Sequence, residues 1–269
     1  MKIPCFHVDA FASGLFTGNP AAVCPLESWL AESTLQNIAA ENNLSETAFT
    51  VVRGDEFELR WFTPVREIDL CGHATLAAAF VWFSIYGRED RILRFHSRSG
   101  ILTVSRQDGL LTLDFPARPA LDCAVPEALI EGLGARPLAV LKSRDYMAVF
   151  ATAAQVSALK PDFNRLRTLD CFGVIATAPG GGDCDFVSRF FAPGAGIDED
   201  PVTGSSHCTL IPYWAGRFAK PKLLARQISR RGGWLSCELA GDRVGIGGKA
   251  VLYLRGEIEI VDAGKSDLI

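Results

Sequence analysis

The sequence is poor in the residue patterns that mark metal and nucleotide sites. It holds only four histidines, and its eight cysteines are dispersed without a C-x-x-C pair. Structural zinc sites need closely spaced Cys and His ligands, so we predict no metal ion. The P-loop, G-x-G-x-x-G and G-x-S-x-G motifs are absent too. Their absence argues against an NTPase, Rossmann or hydrolase site, and we predict no cofactor.

The chain also lacks a strong excess of either charge. It carries 27 Lys+Arg against 31 Asp+Glu, a formal net charge of −4, with 48% hydrophobic residues. A nucleic-acid-binding protein needs a basic face, so we expect no nucleic-acid partner. The N-terminal segment MKIPCFHVDAF lacks the apolar stretch of a secretory signal peptide, and we expect a cytoplasmic protein with reduced thiols.

Two long uncharged runs stand out, Leu70–Gly87 and Pro201–Gly216. The first is too interrupted and too short for a membrane span, which needs about 20 apolar residues. Because its apolar side chains occupy every face, it predicts a helix buried on all sides. The second run has the same character, although Pro212 should kink or break the helix.

A sequence repeat links these two runs. RWFTPVREIDLC at 60–71 aligns without a gap with RFFAPGAGIDED at 189–200, at an offset of 129 residues. Both segments indicate a strand, a turn with proline and the start of an uncharged helix. We therefore predict an α+β protein of two similar halves, 1–118 and 119–269, with the chain end near the last strand of the first half. Other predicted elements are a helix over Leu26–Asn42 and strands over Pro4–Phe11, Glu46–Val52 and Glu56–Phe62.

Polar residues gather where the two uncharged helices begin. Cys71-Gly72-His73 opens the first, and Asp200 with Gly204-Ser205-Ser206 opens the second. A helix N-terminus offers free N–H groups and the positive dipole end, so each can hold a carboxylate. If the halves face each other, both openings line one cleft. Glu46 begins a predicted strand that we expect to be mostly buried. Such an apolar setting suits a general acid/base.

Several segments together resemble the phenazine-biosynthesis PhzF-like family over essentially the whole chain. They are DAFASGLFTGNPAAVC (9–24), ENNLSETAF (41–49), FTPVREIDLCGHAT (62–75), IDEDPVTGSSHC (197–208) and VGIGGKA (244–250). The resemblance implies a diaminopimelate epimerase-like fold. That fold has two pseudo-symmetric halves, each a mostly antiparallel, β-barrel-like sheet around a central helix.

The resemblance also implies a cofactor-independent isomerase that shifts a proton (1,3-shift type) on a small carboxylic acid, in the cleft between the halves. In that picture Glu46 is the general acid/base, and the family's active-site histidine, aspartate and serine correspond to His73, Asp200 and Ser205. The implied substrate contacts are Asn19 and the helix starts, Gly72 and Ala74 on one side and Gly204 and Ser206 on the other.

Two alternatives stay open. Related epimerases place two cysteines on opposite faces of the substrate, whereas this chain matches them with Cys71 and Asp200, so an amino-acid or hydroxy-acid epimerase or racemase would have to use that pair. The other alternative is a non-catalytic protein that binds small carboxylates or protein partners.

Each candidate residue also has a plain structural interpretation. Glu46 can be a surface residue, His73 and Asp200 helix caps, Ser205 a small packing residue and Cys71 a buried thiol. A homodimer is a further expectation.

Overall fold

The computed structural model describes residues 1–260. Strands follow in the order β1 (Lys2–Ala10), β2 (Asn19–Leu26), β3 (Glu46–Arg53), β4 (Glu56–Phe62), β5 (Glu67–Ile68), β6 (Ile92–Ser97), β7 (Gly100–Gln107), β8 (Leu110–Pro116), β9 (Leu121–Asp122), β10 (Ala139–Lys142), β11 (Tyr146–Val149), β12 (Val174–Pro179), β13 (Phe186–Ala192), β14 (Ile197–Asp200), β15 (Lys222–Gln227), β16 (Gly233–Ala240), β17 (Arg243–Gly248) and β18 (Ala250–Glu259). Helices are α1 (Glu32–Asn42), α2 (Gly72–Phe80) with a π-helical continuation (Val81–Ile85), α3 (Glu127–Leu133), α4 (Ala153–Ala158), α5 (Phe163–Leu166) and α6 (Gly204–Phe218).

The chain divides into two compact units. Within the described residues, the first consists of Met1–Ala10, Pro20–Leu111 and residues 250–260, and the second of Phe11–Asn19 and Thr112–Lys249. Each unit is thus built from segments that are separated in sequence, whereas each predicted half is one continuous stretch. The predicted boundary after residue 118 stays a prediction.

In the first unit, parallel and antiparallel pairings alternate across the sheet. β2 runs parallel to β3, β3 antiparallel to β4, β4 parallel to β6 and β6 antiparallel to β7. Phe57, Leu59 and Trp61 of β4 are buried while the residues between them are partly exposed, the alternation expected of a strand with one face on the core. β1 and β18 form a long antiparallel pair in the same unit.

The second unit repeats this pattern. β11 runs parallel to β12, β12 antiparallel to β13, β13 parallel to β15 and β15 antiparallel to β16. The uncharged helices occupy equivalent places as well, α2 between β5 and β6 and α6 between β14 and β15. The predicted α+β class with duplicated halves is confirmed.

A buried contact is repeated in the two cores. In each unit a tryptophan indole N–H donates to a threonine hydroxyl, and a phenylalanine ring packs against the same indole. The pairs are Trp82 with Thr50 (3.1 Å) and Trp214 with Thr177 (3.0 Å), with Phe57 and Phe186 as the packing rings. Phe57 and Phe186 are 129 residues apart in sequence, the offset of the sequence repeat. The tryptophan and threonine pairs occupy equivalent places at slightly different offsets.

Helix α2 forms the centre of the first unit. Every residue from Gly72 to Ala79 is buried, and β1, β3, β7 and β18 all pack against the helix. Because these strands approach from different parts of the sheet, the sheet surrounds the helix as predicted. Within residues 1–260, no helix is both long and apolar enough to cross a membrane.

Helix α6 corrects one expectation, since it continues through Pro212 to Phe218. A proline inside a helix cannot donate to the carbonyl four residues earlier, which here belongs to Cys208. The backbone N–H of Arg118 donates to that carbonyl instead, at 2.8 Å. The orphaned acceptor is therefore satisfied from outside the helix, and Pro212 does not end it.

Candidate functional site

Glu46, Cys71 and His73 come together in the first unit. Helix α1 ends at Asn42, the next residue, Asn43, is left-handed with φ 47°, and the chain reverses into β3, whose first residue is Glu46. Cys71 precedes the first residue of α2, and His73 is the second residue of that helix. All three side chains are buried, with Glu46 5% exposed, His73 4% and Cys71 6%.

His73 lies between the other two side chains. Its Nε2 is 2.9 Å from Oε2 of Glu46, and its Nδ1 is 3.5 Å from Sγ of Cys71. Apart from this contact with His73, no group in the described part of the chain hydrogen-bonds to Oε2 of Glu46. One carboxylate oxygen therefore faces the imidazole inside a nearly dry site.

Burial and charge act against each other at this histidine. Burial alone lowers the pKa of His73, but the Glu46 carboxylate and, once it is ionised, the Cys71 thiolate raise it well above the usual value. While Cys71 is protonated, the Glu46 carboxylate is the group that favours the imidazolium form. Burial and the charge of Glu46 raise the pKa of the Cys71 thiol to about 11, despite opposing contributions from His73 and the amide of Ala74. The thiol therefore keeps its proton at neutral pH.

A second cluster surrounds Asp200 in the second unit. Asn19 Nδ2 donates to its Oδ1 at 2.8 Å, and the Thr203 hydroxyl donates to its Oδ2 at 2.5 Å. The Gln227 amide braces the turn, since its Nε2 donates to the Asp200 carbonyl and its Oε1 accepts from the Thr203 N–H. Asp200 is therefore a fixed, buried side chain at the end of β14.

The cap interpretation of Asp200 is wrong. The residue before the first turn of α6 is Thr203, and its side chain makes no capping hydrogen bond to the helix. The helix starts three residues later than the gapless alignment of the repeat implies, because Pro201–Thr203 form an extra turn before it. The first N–H groups of α6 therefore have no partner within the helix.

Ser205 belongs to a charged cluster at the same helix start. Nη2 of Arg144 donates both to Oγ of Ser205 and to Oδ2 of Asp145, each at 3.0 Å, and the guanidinium lies 4.4 Å from the ring centroid of Phe172. A guanidinium only donates hydrogen bonds, so Ser205 accepts from Arg144 and keeps its own hydroxyl proton for another acceptor. Asp145 is 1% exposed, and burial raises its pKa even against Arg144.

The remaining predicted contacts lie in the first turns of the two helices. Gly72 and Ala74 are buried at the start of α2, and Gly204 and Ser206 at the start of α6. The Ser206 hydroxyl donates to the Thr203 carbonyl at 2.9 Å, so only its backbone N–H can serve a bound carboxylate.

Sequence reasoning missed Arg144, Asp145, Thr203 and Gln227. Thr203 stands inside a quoted motif, and a polar residue just before a helix was a usable signal. Arg144 and Asp145 form a turn before β11, where adjacent opposite charges usually indicate a solvated loop. The sequence contains no local sign that Asp145 is buried.

One group could hold a metal ion. Glu46, Cys71 and His73 each offer a donor atom, and the three atoms lie within 4.8 Å of one another. The spacing argument against a metal missed this group because its third donor, Glu46, comes from a distant strand.

Comparisons with known proteins identify the family to which the chain belongs. A model of the family described as "Phenazine biosynthesis-like protein" matches residues 8–256. An uncharacterised isomerase of Pseudomonas aeruginosa is 51% identical over 260 residues, covering 97% of this chain and all of the relative. The chain belongs to the phenazine biosynthesis-like family.

Solved structures give the same assignment. The crystal structure of a family member from Enterococcus faecalis superimposes with a TM-score of 0.94 at 49% identity, covering 97% of this chain and all of that chain. A hydroxyproline epimerase from Agrobacterium vitis superimposes with a TM-score of 0.60 at 11% identity, covering 97% and 94%. That second likeness concerns the fold alone, and the epimerase-type fold predicted for this member of the phenazine biosynthesis-like family is confirmed.

Proposed function

We propose that the protein is an isomerase that moves a proton between carbon atoms of a small carboxylic acid, with Glu46 as the general acid/base. The observation that carries the proposal is the buried contact of 2.9 Å between Glu46 Oε2 and His73 Nε2. A carboxylate with a proton-donating partner in a dry site can accept a proton from carbon and return it. The names of relatives, which include isomerases, support the same reaction class.

The step needs no external reagent. Oε2 of Glu46 takes the proton from an acidic carbon next to an unsaturated system, and the electron pair of the broken C–H bond moves into that system. A double bond shifts by one position, and Glu46 gives the proton back at the new carbon. His73 holds the carboxylate in place, and its positive charge balances the site while Glu46 is ionised.

Each of the two helix starts is proposed, within its own unit, to bind a carboxylate group. The N–H groups of Gly72 and Ala74 are proposed for this role in the first unit, and those of Gly204 and Ser206 in the second. Ser205 supports the proposal because its hydroxyl proton is available while Arg144 donates to one of the lone pairs of its oxygen. Asn19 acts through Asp200, to which it donates a hydrogen bond.

The epimerase alternative requires Cys71 as a base. The raised pKa of its thiol, about 11, leaves very little thiolate at neutral pH, and Asp200 is already engaged by Asn19 and Thr203. Both observations favour Glu46 over Cys71 as the group that removes a proton from carbon.

The test is deuterium incorporation from D₂O into a panel of small unsaturated, cyclic and amino carboxylic acids, followed by proton NMR. We expect exchange at one carbon of at least one panel member, and a loss of at least about 10²-fold in Glu46→Gln. Glu41→Gln is the matched control, because Glu41 is an exposed carboxylate on α1. Undiminished exchange in Glu46→Gln would refute the role of Glu46. Panel members that raise the melting temperature without exchange would instead indicate the non-catalytic binder.

A further inference from the structure

We propose that Glu46, Cys71 and His73 form a binding site for one Zn²⁺ ion, and that zinc bound there inhibits the enzyme. The binding site stands on the geometry of the three side chains alone, whereas the inhibition rests on the proposed function. The three residues offer one sulfur, one nitrogen and one oxygen donor, all buried.

The separations of the donor atoms suit a tetrahedral zinc ion. Typical bonds of about 2.3 Å to sulfur and 2.1 Å to nitrogen or oxygen place neighbouring ligands about 3.4–3.6 Å apart. Nε2 of His73 lies 4.0 Å from Sγ of Cys71 and 2.9 Å from Oε2 of Glu46. No donor pair is more than 4.8 Å apart, so the ligands need to move by about 1 Å at most to reach these separations.

The oxygen donor is open to a ligand. Apart from its contact with His73, Oε2 of Glu46 has no hydrogen-bond partner within residues 1–260 although it is buried. A carboxylate oxygen has two lone pairs, so one of them stays available to a metal ion. Three protein ligands leave the fourth position of zinc for water or for a substrate carboxylate, the arrangement of an open site.

Zinc in this position stops proton transfer. The bound ion takes the lone pair of Glu46 that would otherwise accept the proton from carbon, and it occupies the nitrogen of His73 that faces this carboxylate. Binding is balanced by release of the Cys71 thiol proton and the His73 imidazolium proton. Mg²⁺ prefers oxygen ligands and near-octahedral geometry, so we expect zinc but not magnesium to inhibit.

Cobalt is the probe for the site, because Co²⁺ takes the place of Zn²⁺ and absorbs light when a thiolate binds it. The experiment titrates Co²⁺ into the full-length protein and follows the sulfur-to-cobalt charge-transfer absorption, then displaces the cobalt with Zn²⁺. We expect one equivalent to bind, with the absorption lost in Cys71→Ser. Cys171→Ser, which changes a half-buried cysteine elsewhere, should keep the full absorption.

Glu46→Gln provides a second variant that does not alter sulfur. It should weaken zinc binding by at least the roughly 10–100-fold that loss of a supporting ligand contact costs. The site is overturned if Cys71→Ser retains the absorption, or if cobalt binds wild-type protein without it. The inhibitory role is overturned if zinc-loaded protein exchanges deuterium as fast as the metal-free protein. Failure of the exchange assay in metal-free protein would refute the proposed function and leave the spectroscopic result for the site intact.

Discussion

Replacing Arg144 with methionine should lower the free energy of unfolding, because the buried carboxylate of Asp145 then loses its ion-pair partner. Asp145 is 1% exposed and receives two hydrogen bonds from the Arg144 guanidinium, at 3.2 and 3.0 Å. Breaking a buried ion pair by removing one partner costs about 3–5 kcal/mol. Because the Arg144 side chain is 32% exposed, water screens part of the interaction and the lower end of that range is expected.

The penalty should depend on pH. The pKa of Asp145 is already raised above its ordinary 3.8, chiefly by burial, while Arg144, Arg118 and the amide of Gly173 oppose the rise. An acid whose folded pKa is raised stabilises the fold in its protonated form, and that contribution is lost as the pH rises through the folded pKa. Arg144→Met raises this pKa further, so the variant should lose more stability near pH 8 than near pH 5.

Urea unfolding followed by tryptophan fluorescence measures this difference. Asp145→Asn in the Arg144→Met background removes the buried charge and should recover most of the lost free energy of unfolding at pH 8. Equal penalties at the two pH values, or a double variant no more stable than Arg144→Met, would refute the assignment of the cost to an uncompensated Asp145 carboxylate.

Two further predictions concern the repeated core contact and the cysteine of the site. Thr177→Val should lower the free energy of unfolding by more than Thr50→Val. Each substitution leaves a buried tryptophan N–H without its acceptor, which costs about 1–3 kcal/mol. The reason for the larger effect is that Thr177 also donates to a backbone carbonyl at 2.7 Å and Trp214 is less exposed than Trp82; equal shifts in urea unfolding would contradict this. Alkylation of Cys71 by iodoacetamide, followed by peptide mass spectrometry, should accelerate about tenfold per pH unit up to about pH 10, since only the thiolate reacts. A plateau near pH 9 would contradict the raised pKa of about 11.

The features readable from the sequence were those carried by contiguous residues. The uncharged runs predicted both central helices, and the repeat over 60–71 and 189–200 predicted the duplicated topology. Helix α1 begins at Glu32 rather than at Leu26, because β2 extends to Leu26 in parallel register with Val51. Short helices escaped prediction altogether: α4 and α5 span only Ala153–Ala158 and Phe163–Leu166, too few residues to show a helical period.

The residues of the candidate site could likewise be predicted where a local sequence pattern marked them, but the contacts between them could not. Cys71 and His73 were found because they adjoin in sequence at a helix start, and Glu46 because it begins a strand expected to be buried. The contact that joins them links a strand to a helix 25 or more residues later. Arg144 and Ser205 meet across 61 residues. Contacts between residues so far apart in sequence leave no local pattern, so only the structure reveals them.

The pairing of β1 with β18 has a consequence for biosynthesis. The ladder runs from Lys2 opposite Glu259 to Ala10 opposite Ala250, and Ile260 N–H donates to the Met1 carbonyl at 2.9 Å. On the ribosome β1 emerges before, and β18 after, all of Thr112–Lys249. At about 5–20 residues per second, synthesis of Thr112–Lys249 alone takes roughly 7–28 s. During translation the second unit can therefore become complete first, while β1, in the unit that holds Glu46 and His73, still lacks its β18 partner.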